Sequence, residues 1–147
     1  MQNINVIIGS DHAGFELKLK IIENKFKEKI YFSDVGTFTR ESVDYPDYGK
    51  LVAQKVDSGK FLLGVLICGS GVGMSIVANR YKNVRAALCI NENMAKLSRQ
   101  HNDANIIVLG SRLISEQEAI KCLIVFFKTN YKGGRHQARL DKFNLVE

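Results

Sequence analysis

The sequence predicts an α/β protein: a single three-layer, doubly wound (Rossmann-like) domain on a five-stranded parallel sheet. Three observations carry that expectation. Short apolar runs alternate with stretches of about 10–15 residues at helical spacing, the order of successive βαβ units. The apolar runs are continuous rather than alternating, as in strands covered by helices on both faces. The chain of 147 residues suits one domain with a substantial core.

The elements follow in order. Asn5 to Gly9 is a short apolar run ending in Gly9-Ser10-Asp11-His12-Ala13-Gly14. Phe15, Leu19, Ile22 and Phe26 recur at helical spacing and predict a helix over Phe15 to Lys29. Ile30 to Val35 reads as the second strand, before a polar loop from Gly36 to Tyr45. Pro46, the only proline, suits the first turn of a helix ending near Ser58-Gly59. Leu62 to Cys68 is the third strand and Val72 to Tyr81 the next helix; Val84 to Ile90 is the fourth strand, Asn91 to Arg99 a helix, and Asn105 to Leu109 the fifth strand. Ser115 with Glu118 three residues on forms a capping box opening a helix to about Thr129. The tail from Tyr131 carries a Gly133-Gly134 break and then a short helix. No repeat, linker or low-complexity segment divides residues 1–147, which read as a single domain.

Composition narrows the function. Apolar content of 46% and charged content of 24% are ordinary for a globular chain, and no apolar run approaches the roughly 20 residues of a membrane span. The first residues lack the layout of a signal peptide. The three cysteines form neither a disulfide framework nor a metal-ligand pattern, so the expected compartment is the cytoplasm. The net charge of +6 is spread out, with Lys18, Lys20, Lys25, Lys27 and Lys29 interleaved with Glu16, Glu23 and Glu28 on what reads as a solvated face. No ladder of aromatic and basic residues is visible. Neither nucleic acid nor membrane is expected as a partner, and no metal or cofactor motif is present.

Doubly wound sheets bind ligands beyond the carboxyl ends of their strands. There the first strand delivers Ser10-Asp11-His12, the third Cys68-Gly69-Ser70-Gly71-Val72-Gly73, and the fifth Gly110-Ser111-Arg112. The glycines after Cys68 allow several N–H groups to converge on one anion. Their alternate spacing departs from G-x-G-x-x-G, and no Lys-Ser/Thr follows, so a nucleotide pyrophosphate is not the expected ligand. Cys68 leaves two readings open: a small buried residue, or a thiol acting as base or nucleophile. Cys89 and Cys122, inside apolar runs, fit the first. His12 and His101 lie at element boundaries among polar groups and read as functional, while His136 stays open. Arg135 and Arg139, four apart, would share a helix face; they either grip a phosphate or are solvated separately. Together these residues read as a phosphate clamp beside an acid/base pair, suited to proton abstraction next to a carbonyl.

The motifs Gly9-Ser10-Asp11-His12-Ala13-Gly14-Phe15, Asp44-Tyr45-Pro46, Cys68-Gly69-Ser70-Gly71-Val72-Gly73, Ser98-Arg99-Gln100-His101-Asn102-Asp103, Gly110-Ser111-Arg112 and Gly133-Gly134-Arg135-His136-Gln137-x-Arg139 span nearly the whole chain. In this order they resemble the ribose-5-phosphate isomerase B family, one of the sugar-phosphate isomerases that also include galactose-6-phosphate isomerase subunits and allose-6-phosphate isomerase. The resemblance implies an aldose–ketose isomerase of the pentose phosphate pathway, interconverting D-ribose 5-phosphate and D-ribulose 5-phosphate through an enediolate without a cofactor. It implies that Cys68 is the base and that Gly69, Ser70, Gly71, Val72 and Gly73 form the anion hole, with the Ser70 hydroxyl assisting. His101 would be the acid that opens the furanose ring, beside Asn102 and Asp11, with Tyr45 also at the substrate. His12, Arg112, Arg135 and Arg139 resemble the phosphate-binding group. The family shares its site between subunits, which implies a homodimer or a dimer of dimers. Met74 occupies the position where other members carry a glutamate base, so the chain resembles the cysteine type. Some members have threonine where Ser70 stands, which also offers a hydroxyl. Cys68 and His101 occur in one chain, unlike the divided galactose-6-phosphate subunits, and this favours a homomer. The alternatives are an isomerase of a six-carbon sugar phosphate and a non-catalytic sugar-phosphate-binding protein.

Overall fold

The computed structural model describes residues 3–145. Its parallel strands β1 (Ile4–Ser10), β2 (Ile30–Asp34), β3 (Leu63–Cys68), β4 (Ala86–Leu88) and β5 (Ile106–Gly110) form one sheet in the order β2-β1-β3-β5-β4. The helices are α1 (Phe15–Glu23), α2 (Tyr45–Asp57), α3 (Val72–Ala78), α4 (Glu92–Asn102) and α5 (Glu116–Lys128); a 3₁₀ turn at Gly134–His136 runs into α6 (Gln137–Leu140). Side-chain alternation along the strands makes the three layers. Val6, Ile8, Val65, Ile67, Ile107 and Leu109 pack with Leu17 and Ile21 of α1, Ala95 of α4, and Leu123 and Phe126 of α5. Ile7, Leu66, Ile106 and Val108 turn the other way, onto Val52, Ala53 and Val56 of α2 and Met74 and Ala78 of α3. Strands buried on both faces need apolar residues at every position, which is the pattern the sequence shows.

Four elements depart from the expected bounds by more than one residue, among them the helix expected to reach Tyr81, which ends at Ala78. The helix predicted to reach Lys29 ends at Glu23, where Asn24 turns extended (φ −65°, ψ 136°). Phe26 still reaches the core, its ring centroid 6.1 Å from that of Phe32 and 5.9 Å from that of Phe127. Its spacing reported burial rather than helix. The strand expected over Val84–Ile90 shortens to three residues. It is an edge strand, and the Asn79 amide takes up both the N–H (2.8 Å) and the C=O (3.0 Å) of Ala86. The helix expected to end at Arg99 continues to Asn102, so His101 lies in its last turn rather than beyond it. Asp103 closes that turn in the left-handed region (φ 46°), with its N–H donated to the Ser98 carbonyl. Its carboxylate accepts from Arg99 at 3.1 Å and Arg85 at 3.4 Å. Aspartate tolerates this conformation better than most residues.

The capping box at Ser115 is half used. Ser115 Oγ accepts the Glu118 N–H at 3.1 Å, but the Glu118 carboxylate accepts the N–H of Glu92 at 3.0 Å. The glutamate thereby joins the amino ends of α5 and α4.

Lys18 overturns its reading as part of a solvated face. It is fully buried, its Nζ 2.6 Å from Asp34 Oδ1 and also donating to the Thr37 carbonyl. The same carboxylate oxygen accepts the Gly36 N–H at 2.9 Å. The Phe15 and Phe38 rings flank the ammonium at 5.6 and 5.0 Å. This group ties α1 to the end of β2 and to the start of the loop over residues 36–44. Removing one partner of a buried ion pair strands the other, at a cost of about 3 kcal/mol. Lys18→Met is therefore expected to lower the urea midpoint by the equivalent of about 3 kcal/mol at unchanged m-value; a loss of only a few tenths would show that the pair does not hold the loop.

Candidate active site

The crossover leaving β1 goes to β2 on one side, and the crossover leaving β3 goes to β4 on the other, so the winding reverses between the adjacent strands β1 and β3. A crevice opens at the carboxyl ends of strands flanking such a reversal. The register Ser10↔Ile67 carries Asp11 beside Cys68, and the Asp11 N–H bonds the Ile67 carbonyl at 3.2 Å. The Asp11 side chain is buried and accepts the Gly14 N–H at 3.0 Å, closing the turn into α1.

Cys68 ends β3 as a buried residue, and its Sγ accepts the Gly71 N–H at 3.2 Å. That contact requires the turn to reverse sharply. Gly71 adopts φ 81°, and a Cβ there would lie 2.4 Å from Leu88 Cδ1, so only glycine fits. A Cβ on Gly73 would lie 2.4 Å from the Tyr45 ring, so the aromatic face seats directly on the turn. Arg112 leaves β5 with its N–H on the Gly69 carbonyl at 2.9 Å, after Ser111 has bonded the Cys68 carbonyl at the same distance. Ser70 is exposed, and its Oγ accepts the Val72 N–H at 3.2 Å. Two N–H groups of the expected anion cradle, those of Gly71 and Val72, are thus satisfied inside the turn. An anion there draws on the remaining donors or displaces the Ser70 hydroxyl.

These residues surround a cavity of about 390 Å³, lined by Asp11, Tyr45, Cys68, Gly69, Ser70, Gly73, Arg112 and Leu113. All but Leu113 were singled out from sequence. Leu113 is an exposed apolar side chain with no chemistry of its own to flag it. His12 follows Asp11 in the chain but does not line the cavity; its Nδ1 accepts the Val43 N–H at 3.1 Å. The loop thereby sets the tautomer, leaving Nε2 as the donor of the neutral ring.

The other four predicted residues are elsewhere. His101 and Asn102 end α4, and the chain then enters β5 at Ile106, which pairs with Gly64 of β3. Cys68 pairs with Gly110 at the far end of that ladder, so the two groups are separated by about 13 Å of strand. The tail is joined to the His101 end: the Lys132 N–H bonds the Gln100 carbonyl at 3.0 Å, and the His136 ring stacks on His101. Arg135 and Arg139 are exposed and occupy the 3₁₀ turn and α6 in succession, not one shared helix as expected. Asn102 borders a second cavity of about 770 Å³ between β4, the end of α4 and α6. The expected clamp and acid/base pair therefore do not meet within one chain. They form two groups at opposite ends of the sheet.

Burial pushes the Cys89 thiol up to about 11, against a bond from Ser98. Burial, reinforced by Cys89, Glu118 and Glu92, pushes Cys122 up to about 12. Burial and then the neighbouring His101, Arg135, Arg139 and Lys132 hold His136 below the ordinary histidine value. Among the described residues no group of three or more His, Cys, Asp or Glu side chains is placed to hold a metal ion, and no helix is long and apolar enough to cross a membrane.

Residues 6–143 match the model of the Ribose/Galactose Isomerase family. The chain belongs to this family. It is 39% identical over 142 residues to ribose-5-phosphate isomerase B of Escherichia coli, covering 97% of this chain and 95% of that one. A crystal structure of a ribose 5-phosphate isomerase from Thermotoga maritima superposes with a TM-score of 0.93 at 48% identity, over 97% of this chain and 99% of the other. Ribose-5-phosphate isomerase B of Mycoplasma genitalium, solved with bound ribulose-5-phosphate, superposes with a TM-score of 0.90 at 44% identity, over 97% and 94% of the two chains.

The thiol environments make a direct prediction for this family member. A thiol-disulfide reagent at neutral pH is expected to titrate one of the three free cysteines in the native protein and all three after unfolding; a second native thiol reacting as fast would contradict the burial of Cys89 and Cys122. Because their folded values exceed the ordinary 9.0, the native state holds protons that the unfolded state releases. Stability is then unaffected below pH 9 and falls as pH rises from 9 towards 11–12, as read from denaturant midpoints across that range.

Proposed function

We propose that this protein is a ribose-5-phosphate isomerase that interconverts D-ribose 5-phosphate and D-ribulose 5-phosphate at a site built from two copies of the chain. The observation that carries this reading is the division of the site. The carboxyl end of the sheet presents Cys68, Asp11, Tyr45, Ser70 and Arg112 around a cavity, while His101, Asn102, Arg135 and Arg139 gather at the amino end. A two-fold dimer lets each copy complete the other's cavity, producing two equivalent sites. The Mycoplasma genitalium relative, solved with ribulose-5-phosphate, supplies the substrate class. Residues 1–147 then act as one isomerase domain, whose tail lends its arginines to the neighbouring copy, in the cytoplasm and without metal or cofactor.

In this reading, His101 of the partner subunit protonates the ring oxygen as the C1–O4 bond breaks, and the C1 hydroxyl releases its proton to water, which opens the furanose to the aldehyde. Cys68 takes the proton from C2 of the open aldose and returns it to C1, while the hydroxyl proton moves from O2 to O1. The charge that develops on the oxygens between the two steps faces the Gly69–Gly73 turn, where fixed donors stabilise it. His12 and Arg112, with Arg135 and Arg139 of the partner subunit, hold the phosphate; arginine forks suit its oxygens. Asp11, Tyr45 and Asn102 of the partner subunit line the sugar.

Removing the base is expected to cost about 10²–10⁴-fold in kcat, so Cys68→Ala measured with ribose 5-phosphate and with allose 6-phosphate tests both the base and the substrate. Near-normal turnover by the variant would dismiss Cys68 as the base, and a higher kcat/KM of the native enzyme for the hexose phosphate would move the substrate to six carbons. The sharing of sites has its own test. Inactive Cys68→Ala and His101→Ala chains, unfolded and refolded together in equal amounts, are expected to recover about a quarter of native activity, because half the dimers are mixed and each holds one intact site. No recovery would place both residues in a single chain's site.

A further inference from the structure

The isomerase reading uses one ring of the stacked histidine pair and leaves the other without a role. His136 sits on the 3₁₀ turn Gly134–His136, buried to 6% exposure. Its ring lies 4.3 Å from that of His101, centroid to centroid, with 18° between the planes. A face-to-face contact uses neither nitrogen of either ring, so both nitrogens of His101 stay available in the ring plane. The backbone keeps the two rings together, through the bond from Lys132 N–H to the Gln100 carbonyl immediately before His101.

We propose that His136 is a positioning residue, a flat ring that backs His101 and fixes the plane in which it presents its proton. This rests on the reading of His101 as the acid. The electrostatics suit the role. His101, Arg135, Arg139 and Lys132 surround His136 and, with burial, disfavour its charge. A neutral aromatic face can lie against a protonated ring and attract it, whereas two charged rings would repel. The tail thus orients the acid that the same tail flanks with arginines.

The test compares His136→Ala, His136→Leu and His136→Phe with His101→Ala and the double variant His101→Ala/His136→Ala. Loss of orientation is expected to lower kcat of His136→Ala about 10–100-fold while KM changes less than about two-fold. His136→Phe keeps a flat ring and recovers most of the rate; His136→Leu fills the space without one and does not, which preserves the comparison if the alanine variant is unstable. The double variant is expected to be no slower than His101→Ala alone, because His136 acts only through His101. Unchanged kcat in both His136→Ala and His136→Leu, equal rates for Phe and Leu, or an additive double variant would each overturn the proposal. A raised KM at native kcat would overturn it too, marking His136 as a support for the arginines alone. Native kcat in His101→Ala would defeat the acid reading and this proposal together, whereas a slow His101→Ala beside a fast His136→Ala would leave the acid reading standing.

Discussion

The carboxyl ends of β3 and β5 are held closer together than side chains allow, and the candidate site depends on that approach. A Cβ on Gly110 would lie 2.4 Å from the Ser70 carbonyl oxygen, and one on Gly71 would strike Leu88 at the same distance. Three further contacts follow from this close packing. The Gly71 N–H reaches back to Cys68 Sγ, the Cys68 carbonyl meets Ser111, and the Gly69 carbonyl meets the N–H of Arg112. A thiol, an arginine and a tyrosine converge here because the backbone beneath them has no substituents to separate it.

The opposite wall depends on a buried charge. Lys18 is fully buried, and its partners are the Asp34 carboxylate and the Thr37 carbonyl. An ammonium in such a place is stable only while both remain. The loop it fastens supplies the Val43 N–H that sets the His12 ring, and it leads into Tyr45, which seats on Gly73. The orientation of one wall thus traces to an electrostatic requirement inside the fold rather than to any contact at the surface.

Much of this was legible in the chain itself. Buried parallel strands announce themselves as unbroken apolar runs, and their carboxyl ends direct attention to Asp11, Cys68 and Arg112. What escaped had a common physical origin, namely that one-dimensional spacing reports burial without reporting how it is achieved. Phe26 keeps helical spacing while packing from the irregular segment that follows α1. Lys18 sits among charged neighbours in sequence, yet its own direction on α1 points inwards. Glu118 fits the capping box but serves another helix. The family resemblance implied a shared site, but spacing alone did not separate the two groups: His101 and Cys68 read alike as boundary residues, and strand register shows that the boundaries lie at opposite ends.

The Asn79 amide on Ala86 carries one more consequence. An open edge strand invites another chain to extend the sheet by backbone pairing, the route to runaway β-association. Here that amide already occupies both backbone groups of Ala86, on a strand only three residues long. An incoming strand would have to evict it and would gain almost no ladder in return. Along this edge the fold itself closes the sheet to further strand pairing.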